Sequence, residues 1–366
     1  MELTADIELT AGMEPACHGA AAEPRLEAFD ALELEMCGIW AQLLETPAVR
    51  RDDNFFDLGG TSRKAVSLWL TLQQRFGVEI PLAALLSAST VSAMAELIRT
   101  GPLESEQRCL VPIRSAGTRA PLFCFHSLTG TVTRFGSLAV AMPADQPVYA
   151  LQLRGLDPRF EFHRSIPEMA SAYVQEMLTV QQDGPFLLLG YSMGGTIAYE
   201  VARQLRARGA EIGMLAMVDT ATTVDGEYDP VDYVIPLVME YGLKLTADAA
   251  SILELDMPAR IDALLGLAKD AGSIPASYGA DQLRRMIESY GVNSRALQDY
   301  GIEDSAEHIV MFRSDDPGDP SNGWSAYVEE VTVIPIPGDH FDMMEPAGAR
   351  LIADAVTAIC FAARPA

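Results

Sequence analysis

Apolar side chains recur at steps of three and four from Leu32 onward (Leu32, Met36, Ile39, Trp40, Leu43, Leu44), the spacing of one buried helix face. A polar loop follows and ends in Asp57-Leu58-Gly59-Gly60-Thr61-Ser62. A second helical pattern then runs to about Phe76 through Val66, Trp69, Leu70 and Leu72. Shorter helices fit 81–86 and 91–98, so residues 31–100 read as a small four-helix bundle. Residues 101–111 include Gly101, Pro102, Glu104, Ser105, Glu106 and Gln107 and read as a linker. About ten extended residues reach roughly 30–35 Å, enough for a small unit to swing around a larger one. Residues 1–30 show no sustained period and read as a flexible tail.

From Pro121 the texture changes to short apolar runs alternating with helical patterns. Strands are predicted over 122–125, 148–151, 186–189, 214–218, 309–312 and 331–336. Helices are predicted over 167–182, with Ser165 as a cap, and over 196–207 and 347–362. That alternation implies a mostly parallel sheet covered on both faces, spanning 112–366. Between Asp219 and Ile309 lies an insertion without strand signal, with helices fitting 230–241, 257–268 and 280–290.

Composition narrows the partners. A net charge of −25 and a pI near 4.5 argue against nucleic acid or an anionic membrane surface. They serve solubility and leave an acidic face on which a basic partner can dock. The five cysteines (Cys17, Cys37, Cys109, Cys124, Cys360) are widely spaced with no C-x-x-C pair, so reduced thiols are expected and no metal site. The first thirty residues hold no apolar h-region, and no apolar run approaches the ~20 residues that span a bilayer. A soluble, cytoplasmic protein is expected.

Two serines stand in chemically specific settings. Ser192 lies in Gly190-Tyr191-Ser192-Met193-Gly194-Gly195, after the apolar run 186–189 and before a helix. That is the arrangement of a nucleophile elbow, whose crowded turn needs glycine on either side of the serine. In such folds the order along the chain is serine, acid, histidine. Of the two histidines after Ser192, His308 borders a strand, whereas His340 sits in the loop Pro337-Gly338-Asp339-His340-Phe341, so His340 is the expected base. The acid is Asp219, at the end of one strand, or Asp315 or Asp316, at the end of the next. Asp339 and Asp342 stand too near His340 to orient it and are expected to bond to backbone or solvent. One oxyanion donor is the backbone N–H of Met193; the other comes from the loop Phe125-His126-Ser127-Leu128-Thr129-Gly130. His126 precedes the nucleophile and is expected to structure that loop.

With these residues in view, nearly everything from Leu32 to Pro365 resembles the C-terminal peptidyl carrier–type I thioesterase didomain of non-ribosomal peptide synthetases. Asp53-Asn54-Phe55-Phe56-Asp57-Leu58-Gly59-Gly60 is similar to the carrier signature, which makes Ser62 the expected attachment site of a 4'-phosphopantetheine cofactor. Thr61 departs from the His or Asp usual before that serine, and Arg63 from the usual Leu. The resemblance favours Asp219 as the acid, points to Leu128 as the second oxyanion donor, and implies a lid at about 222–305. Ser127 stands where the family usually has proline.

The implied architecture is a four-helix carrier followed by an α/β-hydrolase domain with a helical lid. The implied activity is release of a peptidyl or acyl chain from the chain's own carrier through a Ser192 acyl-enzyme, by hydrolysis or cyclisation. This would end a non-ribosomal peptide or hybrid polyketide synthesis. Its partners would be upstream synthetase modules or a condensation domain and a phosphopantetheinyl transferase. A free-standing esterase or editing thioesterase leaves the Ser62 bundle unexplained. A non-catalytic scaffold leaves the serine, acid and histidine unexplained. No adenylation or condensation signature is present, so monomer activation falls to other domains.

Overall fold

The computed structural model describes residues 31–78, 80, 83–100, 109–157, 159–222, 252, 254–270 and 279–361, without the side chains of Ser62, Arg63, Met257, Ala268, Gln282 and Phe361. The tail 1–30, the linker residues 101–108 and the helical pattern at 230–241 lie outside the described residues.

Four helices come first: α1 (Ala31–Leu44), α2 (Ser62–Phe76), α3 (Ala84–Ser87) and α4 (Val91–Thr100). Trp40, Phe55 and Phe56 meet edge to face, with centroids 5.1 and 5.4 Å apart, and Ala65, Leu68 and Leu72 of α2 join the same core. The pattern over 81–86 yields a helix only at Ala84–Ser87, positions 81 and 82 lying outside the described residues.

Among the described residues, seven strands form one sheet in the order β1-β3-β2-β4-β5-β6-β7. They are β1 (Leu110–Arg114), β2 (Leu122–Phe125), β3 (Val148–Leu151), β4 (Phe186–Tyr191), β5 (Ile212–Val218), β6 (Ser305–Arg313) and β7 (Val328–Pro335). All pairs are parallel except the edge pair β1–β3. The linker expected over 101–111 therefore ends earlier, because residues 110 and 111 pair with β3. Pro112 is tolerated on that edge, and the Glu176 carboxylate takes the N–H groups of Cys109 and Leu110 at 2.8 and 2.7 Å.

Alternation along each strand splits the core in two. Leu122 and Cys124 face α5 (Phe135–Ala141) and α10 (Pro346–Phe361), while Phe123 and Phe125 face α6 (Ile166–Met177) and α7 (Met193–Ala207). Ser165 caps α6 by accepting from Glu168 N–H at 3.3 Å. The helix stops at Met177, short of the expected 182, where the Thr179 hydroxyl bonds back to Glu176 O. Beyond β5 the described helices are α8 (Met257–Asp270) and α9 (Ala280–Gln298), the latter two turns longer than its apolar pattern. This mixed sheet with helices on both faces is that of an α/β-hydrolase.

The strand order reverses between β2 and β4, and at such a switch point the carboxyl ends of the strands open a crevice. Register brings those ends together: Phe125 pairs with Gly190, Tyr191 with Val218, Val218 with Phe312, and Arg313 with Pro335.

Candidate active site

Ser192 follows β4 directly and starts α7 from a strained backbone, φ 57° and ψ −129°. Only a crowded turn holds a non-glycine residue there. The crowding is measurable at its glycines: a Cβ on Gly190 would lie 2.1 Å from the Gly194 backbone, and one on Gly194 2.1 Å from Phe125 O. The turn is pinned by Ser192 N–H to Val218 O at 2.9 Å and by the Thr220 hydroxyl to Ser192 O at 2.8 Å.

Asp219 follows β5 and also takes a positive φ, 50°. Its Oδ2 accepts from His340 Nδ1 at 2.7 Å and from the Ser314 hydroxyl at 3.0 Å. Its Oδ1 accepts from Arg313 Nη1 at 2.6 Å and from Asn322 Nδ2 at 3.3 Å. Burial works against ionisation here, but the bond to His340 and the nearby imidazole and guanidinium prevail and hold the carboxyl at about 2. Asp219 is therefore a carboxylate at neutral pH, and His340 bonds it through Nδ1–H.

The other acidic residues are spoken for. Asp315 accepts from Gly338 N–H at 2.9 Å and so braces the histidine loop, and Asp316, 3.1 Å from the Ser314 hydroxyl, shares that group's single proton with Asp219. Asp339 accepts from the N–H groups of Phe341 and Asp342, and Asp342 from that of Asp339. His308 points away, bonded to Thr332 Oγ1 at 2.8 Å on β7. His340 and Ser192 form no hydrogen bond to each other among the described residues, although the ring of Tyr191 stacks on His340 at 5.0 Å.

The two expected oxyanion donors lie on either side of the switch point. Met193 is the first residue of α7, and its N–H has no acceptor among the described residues. Leu128 lies in the loop after β2, and its N–H likewise has none. His126 is fully buried, bonded through Nδ1 to Ser127 O at 2.7 Å and through Nε2 to the Tyr173 hydroxyl at 2.8 Å. Burial pushes its imidazole down to about 4, so it stays neutral.

Arg313, Ser314, Asn322 and Tyr191 are partners that sequence reasoning missed. No local motif marks their contacts: Arg313 reaches Asp219 from 94 residues away through the β5–β6 pairing.

At the other serine, Ser62 is the first residue of α2, and Thr61 caps that helix by accepting from Lys64 N–H at 3.3 Å. An anionic phosphodiester suits the positive end of a helix, and Lys64 adds a cation in the first turn. The residues thus fit a phosphopantetheine group.

Comparison with known proteins covers both parts of the chain. Residues 120–360 match the thioesterase domain family, and residues 35–98 match the phosphopantetheine attachment site. A dimodular nonribosomal peptide synthase of Bacillus subtilis is 31% identical over 322 residues, 85% of this chain and 13% of its own length. Malpinin synthetase of Mortierella alpina is 38% identical over 208 residues, 56% of this chain and 3% of its own length. The chain thus spans a small part of these curated relatives. Among solved structures, a four-domain nonribosomal peptide synthetase in its holo form superposes with a TM-score of 0.65 at 29% identity, over 94% of this chain and 27% of that one. The wild-type Vlm2 thioesterase domain shares the fold with a TM-score of 0.51 at 21% identity, over 69% of this chain and 97% of that one. The chain belongs to the thioesterase domain family, and ahead of that domain it carries a phosphopantetheine attachment domain of the kind found in nonribosomal peptide synthetases, with covalent 4'-phosphopantetheine as its cofactor.

Proposed function

We propose that this chain releases an acyl or peptidyl group from its own carrier through an acyl-enzyme on Ser192, with His340 as base and Asp219 as the acid that orients it. The observation that carries the reading is the 2.7 Å bond from His340 Nδ1 to an ionised, buried Asp219 beside the strained Ser192 turn. A carboxylate on Nδ1 fixes the tautomer and leaves Nε2 free to take the serine proton. When bound at Ser62, the phosphopantetheine arm supplies the thioester. Ser192 Oγ attacks the thioester carbonyl as its proton passes to His340 Nε2. The N–H groups of Met193 and Leu128 meet the oxyanion, and the proton on His340 then leaves with the thiol. His340 next activates water, or a hydroxyl or amine within the acyl chain, to free Ser192. Helices α8 and α9 form part of a lid over this crevice. The reading includes a place at the end of a synthetase line, fed by upstream modules or a condensation domain, with Ser62 modified by a phosphopantetheinyl transferase.

The test is intact-protein mass spectrometry after transferase treatment with an acyl-coenzyme A, comparing wild type with Ser192→Ala and Ser62→Ala. The pantetheinyl adduct is expected on wild type and Ser192→Ala and absent from Ser62→Ala. The acyl group is expected to leave wild type and to persist on Ser192→Ala. Equal retention by both loaded proteins across a panel of acyl groups would overturn the reading.

A further inference from the structure

The loop after β2 is held carbonyl by carbonyl, and the pattern bears on one N–H in particular. A trans peptide unit is planar, with its C=O and N–H pointing in opposite directions. The N–H of Leu128 therefore points wherever Ser127 O does not. Ser127 O accepts two hydrogen bonds, from His126 Nδ1 at 2.7 Å and from Gly130 N–H at 3.0 Å. The next carbonyl, Leu128 O, accepts from Asn293 Nδ2 of α9 at 2.9 Å. Both peptide planes flanking Leu128 are thus clamped, one from within the loop and one from the lid. Ser289 is a weaker hold: its hydroxyl lies 3.2 Å from Thr129 O but 2.7 Å from Met286 O, and it has one proton to give.

The protonation of His126 follows from its partners. A carbonyl only accepts, so Nδ1 carries the hydrogen and Nε2 is the lone-pair nitrogen that accepts from the Tyr173 hydroxyl at 2.8 Å. Tyr173 is fully buried, which pushes its hydroxyl well above its ordinary range and keeps it a donor. His126 and Asn293 are themselves fully buried; the His126 bond is buried at both ends, and that of Asn293 ends on the half-buried Leu128. Donation into Ser127 O also polarises the amide and strengthens the N–H at its far side. The clamped loop abuts the nucleophile turn, since a Cβ on Gly194 would meet Phe125 O at 2.1 Å and His126 O at 2.7 Å.

We propose that His126 and Asn293 are positioning residues that aim the Leu128 N–H at the oxyanion formed on Ser192. The proposal rests on the reading of Ser192 as nucleophile and Leu128 as donor. Neither side chain touches the substrate; each acts through a peptide unit. The lid is thereby assigned a second task, because the helix that covers the crevice also supplies the Leu128 clamp.

The experiment uses the full chain with two probes: an octanoyl N-acetylcysteamine thioester for turnover and a fluorophosphonate for the labelling rate and count of active Ser192. In His126→Gln the amide reaches toward the Nε2 position and no donor remains at Nδ1. In His126→Asn the Nδ2 falls near the Nδ1 position and the donor is kept. Losing one oxyanion donor outright costs about 10²–10³ in kcat, so misaiming it is expected to cost about 10–100-fold. His126→Gln and Asn293→Asp are each expected to lose that much in kcat per labelled site, with KM little changed. His126→Asn is expected to recover most of it. A purely structural role would lower melting temperature and labelled fraction together, would leave kcat per labelled site unchanged, and would treat both His126 variants alike. Unchanged kcat per labelled site in His126→Gln and Asn293→Asp, or equal loss in both His126 variants, overturns the proposal. If the His126 variants do not fold, Asn293→Asp and Tyr173→Phe carry the same comparison. Absence of labelling and turnover in the wild type would instead remove the proposed function, a separate failure.

Discussion

Tyr191 lies nearly parallel to His340, ring centroids 5.0 Å apart at 24°, and its hydroxyl donates to the carbonyl oxygen of the same residue at 3.0 Å. The residue that precedes the proposed nucleophile thus holds the loop that brings the proposed base. Because Tyr191 is the last residue of β4 and almost fully buried, these contacts tie the histidine loop to the strand and the elbow.

Tyr191→Phe keeps the stack and removes only the hydrogen bond. Stability is expected to fall by about 1 kcal/mol, the net worth of one such bond. Turnover is expected to fall severalfold, because the loop carrying His340 loses its tether. Tyr191→Ala removes the buried ring as well and is expected to cost about 3–5 kcal/mol. Urea unfolding curves and thioester turnover for the two variants check both figures.

The buried carboxylate of Asp219 ties stability to pH. Its pKa falls from about 3.9 in an unfolded chain to about 2 in the fold. A depressed pKa gives stability that is present above the unfolded value and is lost as pH falls through the folded one. Wild type is therefore expected to exceed Asp219→Asn by roughly 2 kcal/mol from this source above pH ~5, the gap closing toward pH ~2. Thermal melts of the two proteins across that range measure it. A gap that widens on acidification would reverse the sign and refute the assignment.

Much of this architecture is legible in the sequence, for reasons that can be named. β2 and β3 are buried on both faces, so they appear as unbroken apolar runs with clear ends. β1 is hidden because its first two residues, Leu110 and Val111, read as the end of the linker, and its first N–H groups depend on Glu176, a partner on α6 that no local pattern reports. α5 is hidden because Phe-Gly-Ser-Leu-Ala-Val-Ala shows no amphipathic period, being packed against the sheet and α10. In the site, Ser192 and His340 are legible from motif and chain order. The contact that singles out Asp219 from Asp315 and Asp316 is not, because all three stand at strand ends and only the folded path of the His340 loop decides which carboxylate the imidazole meets. The same holds for Arg313 and Asn293, whose partners are assembled by pairing and packing between distant segments.

Thr61 stands where the resemblance leads one to expect His or Asp, and the fold gives it a task as the cap of α2. Thr61→Ala is expected to destabilise α2 by about 1 kcal/mol, whereas Thr61→Asp, itself a strong cap, is expected to retain stability. Denaturation of the two variants, followed by circular dichroism, distinguishes a capping role from a surface position that tolerates either residue.

α2 has two apolar stripes, and the second bears on delivery from Ser62 to Ser192 in the proposed reaction. Ala65, Leu68 and Leu72 fill the core shared by the four N-terminal helices, while Val66 and Leu70 are buried instead against Ile261, Leu264 and Leu265 of α8 and Leu283, Met286 and Ile287 of α9. Phe56 adds a second foothold, its ring lying against the backbone of Gly136 in α5. A unit tethered in this way presents its thioester at a high effective concentration, so delivery should depend on the stripe more than on affinity for free substrate. Leu70 lies two turns beyond Ser62 and outside the shared core, so Leu70→Asp places a charge in the contact without touching the attachment residue. Single-turnover release of an acyl group carried on Ser62 is expected to slow by at least about tenfold, since one unpaired buried charge exceeds the ~1.4 kcal/mol that a factor of ten represents. Hydrolysis of an acyl N-acetylcysteamine thioester, which needs no carrier, is expected to stay within about twofold of wild type. Equal slowing of both reactions would mean that Leu70 supports the fold of the lid, and unchanged release from Ser62 would mean that delivery uses another face of the carrier.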